Sequence, residues 1–97
     1  MAGGGIMLRL VVYDIADSRR LAKVARICGD YGVRVERSVF ECDLDDEAFD
    51  RFWGKLAKTV DAEKDRLIVY GICVSCVKRI QFLGSVARPE KPLLYVV

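Results

Sequence analysis

A chain of 97 residues holds one hydrophobic core, because dividing it would leave each half with too little apolar surface to stay folded. With 53% hydrophobic and 31% charged residues the composition is that of a globular domain, and no apolar run approaches the roughly 20 residues of a membrane span. The 16 basic and 14 acidic side chains leave a net charge of +2, and the absence of histidine excludes Ser-His and Cys-His nucleophile pairs, imidazole proton shuttles and histidine metal ligands.

Residues 1–6 contain a glycine run but lack the apolar stretch and cleavage site of a signal peptide, so they read as a leader or cloning scar, with Met7 as the expected start of a single domain over residues 7–97. Four cysteines without a secretory signal point to a cytoplasmic protein rather than to a disulfide framework. Residues 7–15, MLRLVVYDI, are rich in β-branched, aromatic and leucine side chains and predict a strand ending in a polar turn at Asp17 and Ser18. Either of these caps the next segment, where Leu21, Val24, Ala25 and Cys28 fall at i, i+3, i+4 and i+7 and predict an amphipathic helix that stops at Gly29 and Gly32.

Extended character resumes over residues 33–44, with a parity break between Val33, Val35 and Val39 and the opposite phase of Phe40, Cys42 and Leu44. A bulge or bend near Ser38 reconciles the two. The acidic run Asp43, Asp45, Asp46 and Glu47 then leads into Phe49, Phe52, Trp53, Leu56 and Val60 at helical spacing, with carboxylates at the positive end of the helix dipole. Residues 67–73 are apolar without alternation and predict a central strand covered on both faces. A strand around residues 79–83, a loop with Pro89 and Pro92 and a terminal apolar strand over 93–97 complete the reading. The order suits an α+β fold, a ferredoxin-like βαββαβ sandwich with an additional C-terminal strand.

Two helices cover one face of such a sheet, yet Leu8, Leu10 and Val12 are apolar on the phase opposite Met7, Val11 and Tyr13. The second face needs a cover. A symmetric homodimer supplies one, with the terminal strand extending the partner's sheet; the alternative is that the tail folds over its own sheet.

Asp14 shares the parity of Leu8, Leu10 and Val12, which points a carboxylate into an apolar layer, at a cost unless it is paired or bound to a cation. Two copies facing each other across a dimer axis would hold one hard cation such as Mg²⁺, whereas the plainer alternative is a capping or turn aspartate. Arg19, Lys23 and Arg26 lie at i, i+4 and i+7 away from the apolar stripe, with Arg20, Arg34 and Arg37 as additional members of a basic ridge. Such a ridge suits phosphate contacts or is an ordinary solvated face. Cys73 and Cys76 have the spacing of half a zinc site without a second half, and are expected to be partly buried thiols, with a redox dithiol as the alternative. Cys28 and Cys42 are expected in the core.

Tyr13-Asp14-Ile15 followed by Asp17 and Arg20, then Tyr31-Gly32, Ser38-Val39-Phe40-Glu41 and Asp65-Arg66-Leu67-Ile68-Val69-Tyr70, resembles in order the second of the two universal CRISPR adaptation proteins. The resemblance runs from Met7 to the end and takes in the stretch from Cys73 to Gly84. It implies a ferredoxin-like homodimer with Asp14 as the catalytic and metal-binding aspartate. It also implies a Mg²⁺-dependent endonuclease acting on single-stranded RNA or double-stranded DNA, and a bridge between two integrase dimers in spacer acquisition. Tyr13, Ser38 and Phe40 belong to the motifs as supporting residues. Many relatives carry glutamine before the SVFE stretch, where this chain has Glu36 and Arg37, and Leu21 and Ala22 interrupt the arginine-rich turn. Besides this adaptor or nuclease, the composition and element order also suit a toxin-type ribonuclease of related fold or a non-catalytic ferredoxin-like regulatory module.

Overall fold

The computed structural model describes residues 7–77, 79–81 and 83. Strand β1 (Met7–Asp14) leads to helix α1 (Ser18–Tyr31), strands β2 (Val33–Glu36) and β3 (Val39–Leu44), helix α2 (Asp46–Thr59), strand β4 (Arg66–Ile72) and the short helix α3 (Val74–Val77). The strands form one sheet in the order β2-β3-β1-β4, every neighbouring pair antiparallel. This is the βαββαβ arrangement expected, with one short helix that was not.

Local chemistry sets the helix ends. The Asp17 side chain accepts the Arg20 N–H at 2.9 Å at the start of α1, and Asp45 accepts the Ala48 N–H at 2.8 Å at the start of α2. Helix α1 runs through Gly29 and ends at Gly32, where a Cβ would collide with Cys42 Sγ and the Glu41 carbonyl. Only glycine admits β3 this close to the helix end.

Val11, Tyr13, Phe40 and Cys42 of the sheet meet Val24 and Cys28 of α1 and Phe52 and Leu56 of α2 in one core. Leu21, placed on the stripe by its spacing, is 38% exposed, so the buried stripe begins a turn later at Val24. Arg9 is buried beneath α2, donating to the Leu44 carbonyl at 2.7 Å and to Asp46 at 3.3 Å, with its guanidinium 4.2 Å from the Phe49 ring centre. It ties the end of β3 to the start of α2.

Three expectations need correction. Residues 33–44 are two strands rather than one bent strand: Glu36 pairs with Val39 across a turn of Arg37 and Ser38, and the bulge lies earlier, between Arg34 and Glu36. Among the described strands β4 is at the edge and β1 lies inside; Ile68 and Tyr70 on the face away from the helices are 49% and 52% exposed. Arg79 to Gln81 form a turn and irregular chain rather than a strand, with the Arg79 N–H donating to the Cys76 carbonyl at 3.0 Å. In that segment Ile80 packs on Leu8 at one end of the open face. Pro89, Pro92 and the expected strand over 93–97 lie outside the described residues.

Candidate nucleic-acid interface

Alternation along β1 places Val11, Tyr13 and Ile15 in the core beneath the helices and leaves Leu8, Leu10, Val12 and Asp14 on the other face. The parity expected of Asp14 holds, but the residue ends its strand and is exposed, so its carboxylate is hydrated rather than enclosed in an apolar layer. Across the ladder it stands opposite Arg66, the first residue of β4. The tip of the β2–β3 hairpin lies at the same end of the sheet, since the Tyr13 N–H donates to the Ser38 carbonyl at 3.1 Å. Asp14, Arg66, Arg37 and the start of α1 thus gather at one end of the molecule.

The basic residues divide into two sets. Arg19, Lys23 and Arg26 are exposed along α1, and Arg37 is exposed at the hairpin tip. Arg20 is turned inward: its Nε donates to Asp65 at 2.8 Å and a second guanidinium nitrogen does so at 3.1 Å. It is a brace between α1 and the entry to β4 rather than a free phosphate ligand, which corrects its place in the ridge. Arg34 lies 5.2 Å from the Phe40 ring centre.

Asp65, in the sequence only the first residue of a motif, has a role that sequence reasoning missed. Its side chain is fully buried and accepts the Ala16 and Asp61 N–H groups, each at 2.9 Å, besides the Arg20 fork. One carboxylate therefore fixes the β1–α1 loop, the first turn of α1 and the α2–β4 loop, and with them the end of the strand that carries Asp14. Its hydrogen bonds with Arg20 hold the carboxyl well below the usual carboxylate range despite burial, with the two backbone donors adding to the effect.

Between α1 and the hairpin is a cleft of about 470 Å³ lined by Tyr13, Ser18, Leu21, Arg34, Arg37 and Ser38, among others. The ring of Tyr13 stacks on Phe40 with centres 6.2 Å apart. The Tyr13 hydroxyl is buried without a hydrogen-bond partner among the described residues, and burial raises its pKa. Of the motif residues, Tyr13 and Ser38 line the cleft and Phe40 packs against Tyr13, while the charge comes from Arg34 and Arg37.

Cys28 and Cys42 are core residues as expected, their thiols pushed up to about 12 by burial. Cys73 and Cys76, expected to be partly buried, are both exposed. Among the described residues no three His, Cys, Asp or Glu side chains converge to hold a metal ion. Asp14 offers one exposed carboxylate in the chain. That donor set suits a hard, water-rich cation such as Mg²⁺, which binds proteins through one or two carboxylates and keeps several waters. Among the described residues no helix is long and apolar enough to cross a membrane.

The family model described as CRISPR associated protein Cas2 matches residues 7–80. The chain is 41% identical over 85 residues to the CRISPR-associated endoribonuclease Cas2 1 of Chloroflexus aurantiacus, covering 87% of this chain and 91% of that one. It is 36% identical over 98 residues to the CRISPR-associated endonuclease Cas2 of Halalkalibacterium halodurans, covering 92% and 100%. Among solved structures, Streptococcus pyogenes Cas2 superposes with a TM-score of 0.73 at 34% identity, covering 80% of this chain and 100% of that one. A hypothetical protein from Thermus thermophilus superposes at 0.79, also at 34% identity, covering 89% and 100%. A match that spans β1 to the turn beyond α3, with the motif residues at the end of β1, at the hairpin and at the entry to β4, shows that the chain belongs to the Cas2 family of CRISPR-associated proteins.

Proposed function

We propose that the protein serves CRISPR spacer acquisition in the cytoplasm, as a homodimer that binds duplex DNA and bridges dimers of the CRISPR integrase. The observation that carries this reading is the division of labour along α1: Arg19, Lys23 and Arg26 project to solvent while Arg20 anchors the helix inward on Asp65. Free guanidinium and ammonium groups on a helix held in place are suited to phosphates, positioning a duplex without reading its bases. The exposed Ile68 and Tyr70 on the open face of the sheet support the homodimer, because such a face is stable in water when a second copy covers it.

Relatives named as endoribonuclease or endonuclease support a second activity of the same site, cleavage of single-stranded RNA or double-stranded DNA. Asp14 of each protomer would hold Mg²⁺, which when bound polarises a phosphate oxygen and makes a bound water more acidic. Arg19 and Arg37, at the same end of the molecule, would hold the neighbouring phosphates in place. The assembly role needs none of this chemistry, and the lack, among the described residues, of any three converging His, Cys, Asp or Glu side chains favours it as the main duty.

The test is reconstitution. Purified protein, the integrase and a short DNA duplex are combined and followed by size-exclusion chromatography with light scattering. One complex containing both proteins and the duplex is expected. Integrase and duplex eluting together without this protein, at micromolar concentrations and moderate salt, would overturn the bridging role.

A further inference from the structure

The exposed pair Cys73 and Cys76 takes no part in the proposed nucleic-acid site. Cys73 directly follows β4, and Cys76 lies in α3, where its N–H donates to the Cys73 carbonyl at 3.0 Å. Such a hydrogen-bonded turn brings the two Cα atoms within about 7 Å, which overlaps the span a disulfide bridges. Cys73 Sγ is 3.2 Å from Ser75 Oγ. Hydrogen bonds from Ser75, then from Cys76, draw the Cys73 thiol down to about 7, whereas the hydrogen bond with Cys73 raises Cys76. At neutral pH Cys73 is therefore about half thiolate, whereas Cys76 keeps its proton. The two core cysteines have the opposite character, buried and with thiols at about 12.

We propose that Cys73 and Cys76 form a thiol–disulfide exchange site whose substrates are low-molecular-weight disulfides such as oxidised glutathione. The Cys73 thiolate attacks one sulfur of the small disulfide, whose S–S bond breaks and expels a thiolate. Cys76 then gives its proton to solvent and attacks Cys73 Sγ, breaking the mixed disulfide and expelling the second thiolate. The protein loses two electrons and two protons, and the small disulfide becomes two thiols. Both residues are exposed, which gives a soluble substrate access, and the new bond would clip the turn where the chain leaves β4.

The full chain, first reduced, is exposed to oxidised glutathione at pH 7 and followed by intact mass and peptide mapping. The expected product is two hydrogens lighter and carries a Cys73–Cys76 link within one chain, with Cys28 and Cys42 unmodified as a check that the fold is intact. Cys76→Ser should trap glutathione on Cys73, and Cys73→Ser, which removes the attacking sulfur, should abolish the two-hydrogen loss and leave only glutathionylation of Cys76, roughly tenfold slower. Alkylation of Cys73 by iodoacetamide should rise with a midpoint near pH 7. Glutathione retained on the wild-type protein, a disulfide between protomers, or equal alkylation rates of the two thiols at pH 7 would each overturn the proposal.

Discussion

Arg20 and Asp65, 45 residues apart in sequence, meet in a two-bond fork of 2.8 and 3.1 Å just behind the strand end that presents Asp14. The pair makes stability depend on acid in a defined direction. Arg20 chiefly, with the Ala16 and Asp61 N–H groups, holds the Asp65 carboxyl below its ordinary value of 3.8. In the unfolded chain it returns to that value, so the unfolded state binds the extra proton first. The stabilisation is complete above about pH 5 and is lost as pH falls through the folded pKa. Thermal melts should therefore show a midpoint that is flat from neutral pH to about 5 and drops below 4. Asp65→Asn should lower the neutral midpoint by roughly 10 °C and flatten part of that acid dependence. An unchanged midpoint at pH 7 would contradict the bracing role.

The same fork separates structure from binding among neighbouring arginines. Neutralising Arg19 and Lys23 together should flatten the slope of log K against log salt for duplex DNA by roughly one to two units per protomer while leaving the melting temperature almost unchanged. Arg20→Ala should do the reverse, lowering the melting temperature with little effect on the slope. Fluorescence anisotropy over a salt series and parallel melts read both quantities. A slope that responds to Arg20 alone would place the phosphates elsewhere.

On the open face, Ile68 and Tyr70 stand opposite Val12 and Leu10 of β1. If a second copy covers this face, Ile68→Asp with Tyr70→Asp should raise the dimer dissociation constant at least about 100-fold, since each side chain contributes roughly 1.5–3 kcal/mol when fully buried. Light scattering across a concentration series checks this, with circular dichroism showing that the monomer keeps its fold. Wild-type protein that stays monomeric at tens of micromolar would end the dimer reading.

The parts of the fold that follow from local chemistry were legible in the sequence. Asp45 before Phe52 and Leu56 announced α2, and Asp17 before Val24 and Cys28 announced α1, because caps and helical periodicity act within a few residues. The β2–β3 hairpin was less legible, since Arg37 and Ser38 form its turn without the glycine or asparagine that usually marks one. The apolar phases of β4 signalled two coverable faces but not the strand's position at the edge, which depends on pairings far apart in sequence. Asp14 was placed on the correct face by parity alone, while its exposure came from its position at the strand end. Arg20 was grouped with the ridge although it precedes the buried Val24 by one helical turn, the phase that points inward. That spacing was the available signal; its partner Asp65 stood only as the first residue of a motif, and its pairing was not legible because nothing local links it to α1.

Asp14 separates the adaptor from the nuclease. Its carboxylate is exposed at the end of β1, so replacing it costs no buried contact, and Asp14→Asn is nearly isosteric. If the paired Asp14 carboxylates hold Mg²⁺, the variant removes a charged ligand from each protomer and should lower Mg²⁺-dependent cleavage roughly 100-fold or more, as EDTA should for the unaltered protein. Duplex binding through Arg19, Lys23 and Arg26 should keep its affinity and salt slope, because these side chains lie on α1 and not on the open face of the sheet. Both proteins are to be assayed on single-stranded RNA and on duplex DNA with Mg²⁺, beside spacer acquisition in cells carrying either form. Loss of cleavage with acquisition intact would assign the protein chiefly to assembly, and loss of both would make the Asp14 chemistry part of acquisition. Equal cleavage by the two proteins would remove Asp14 from the reaction.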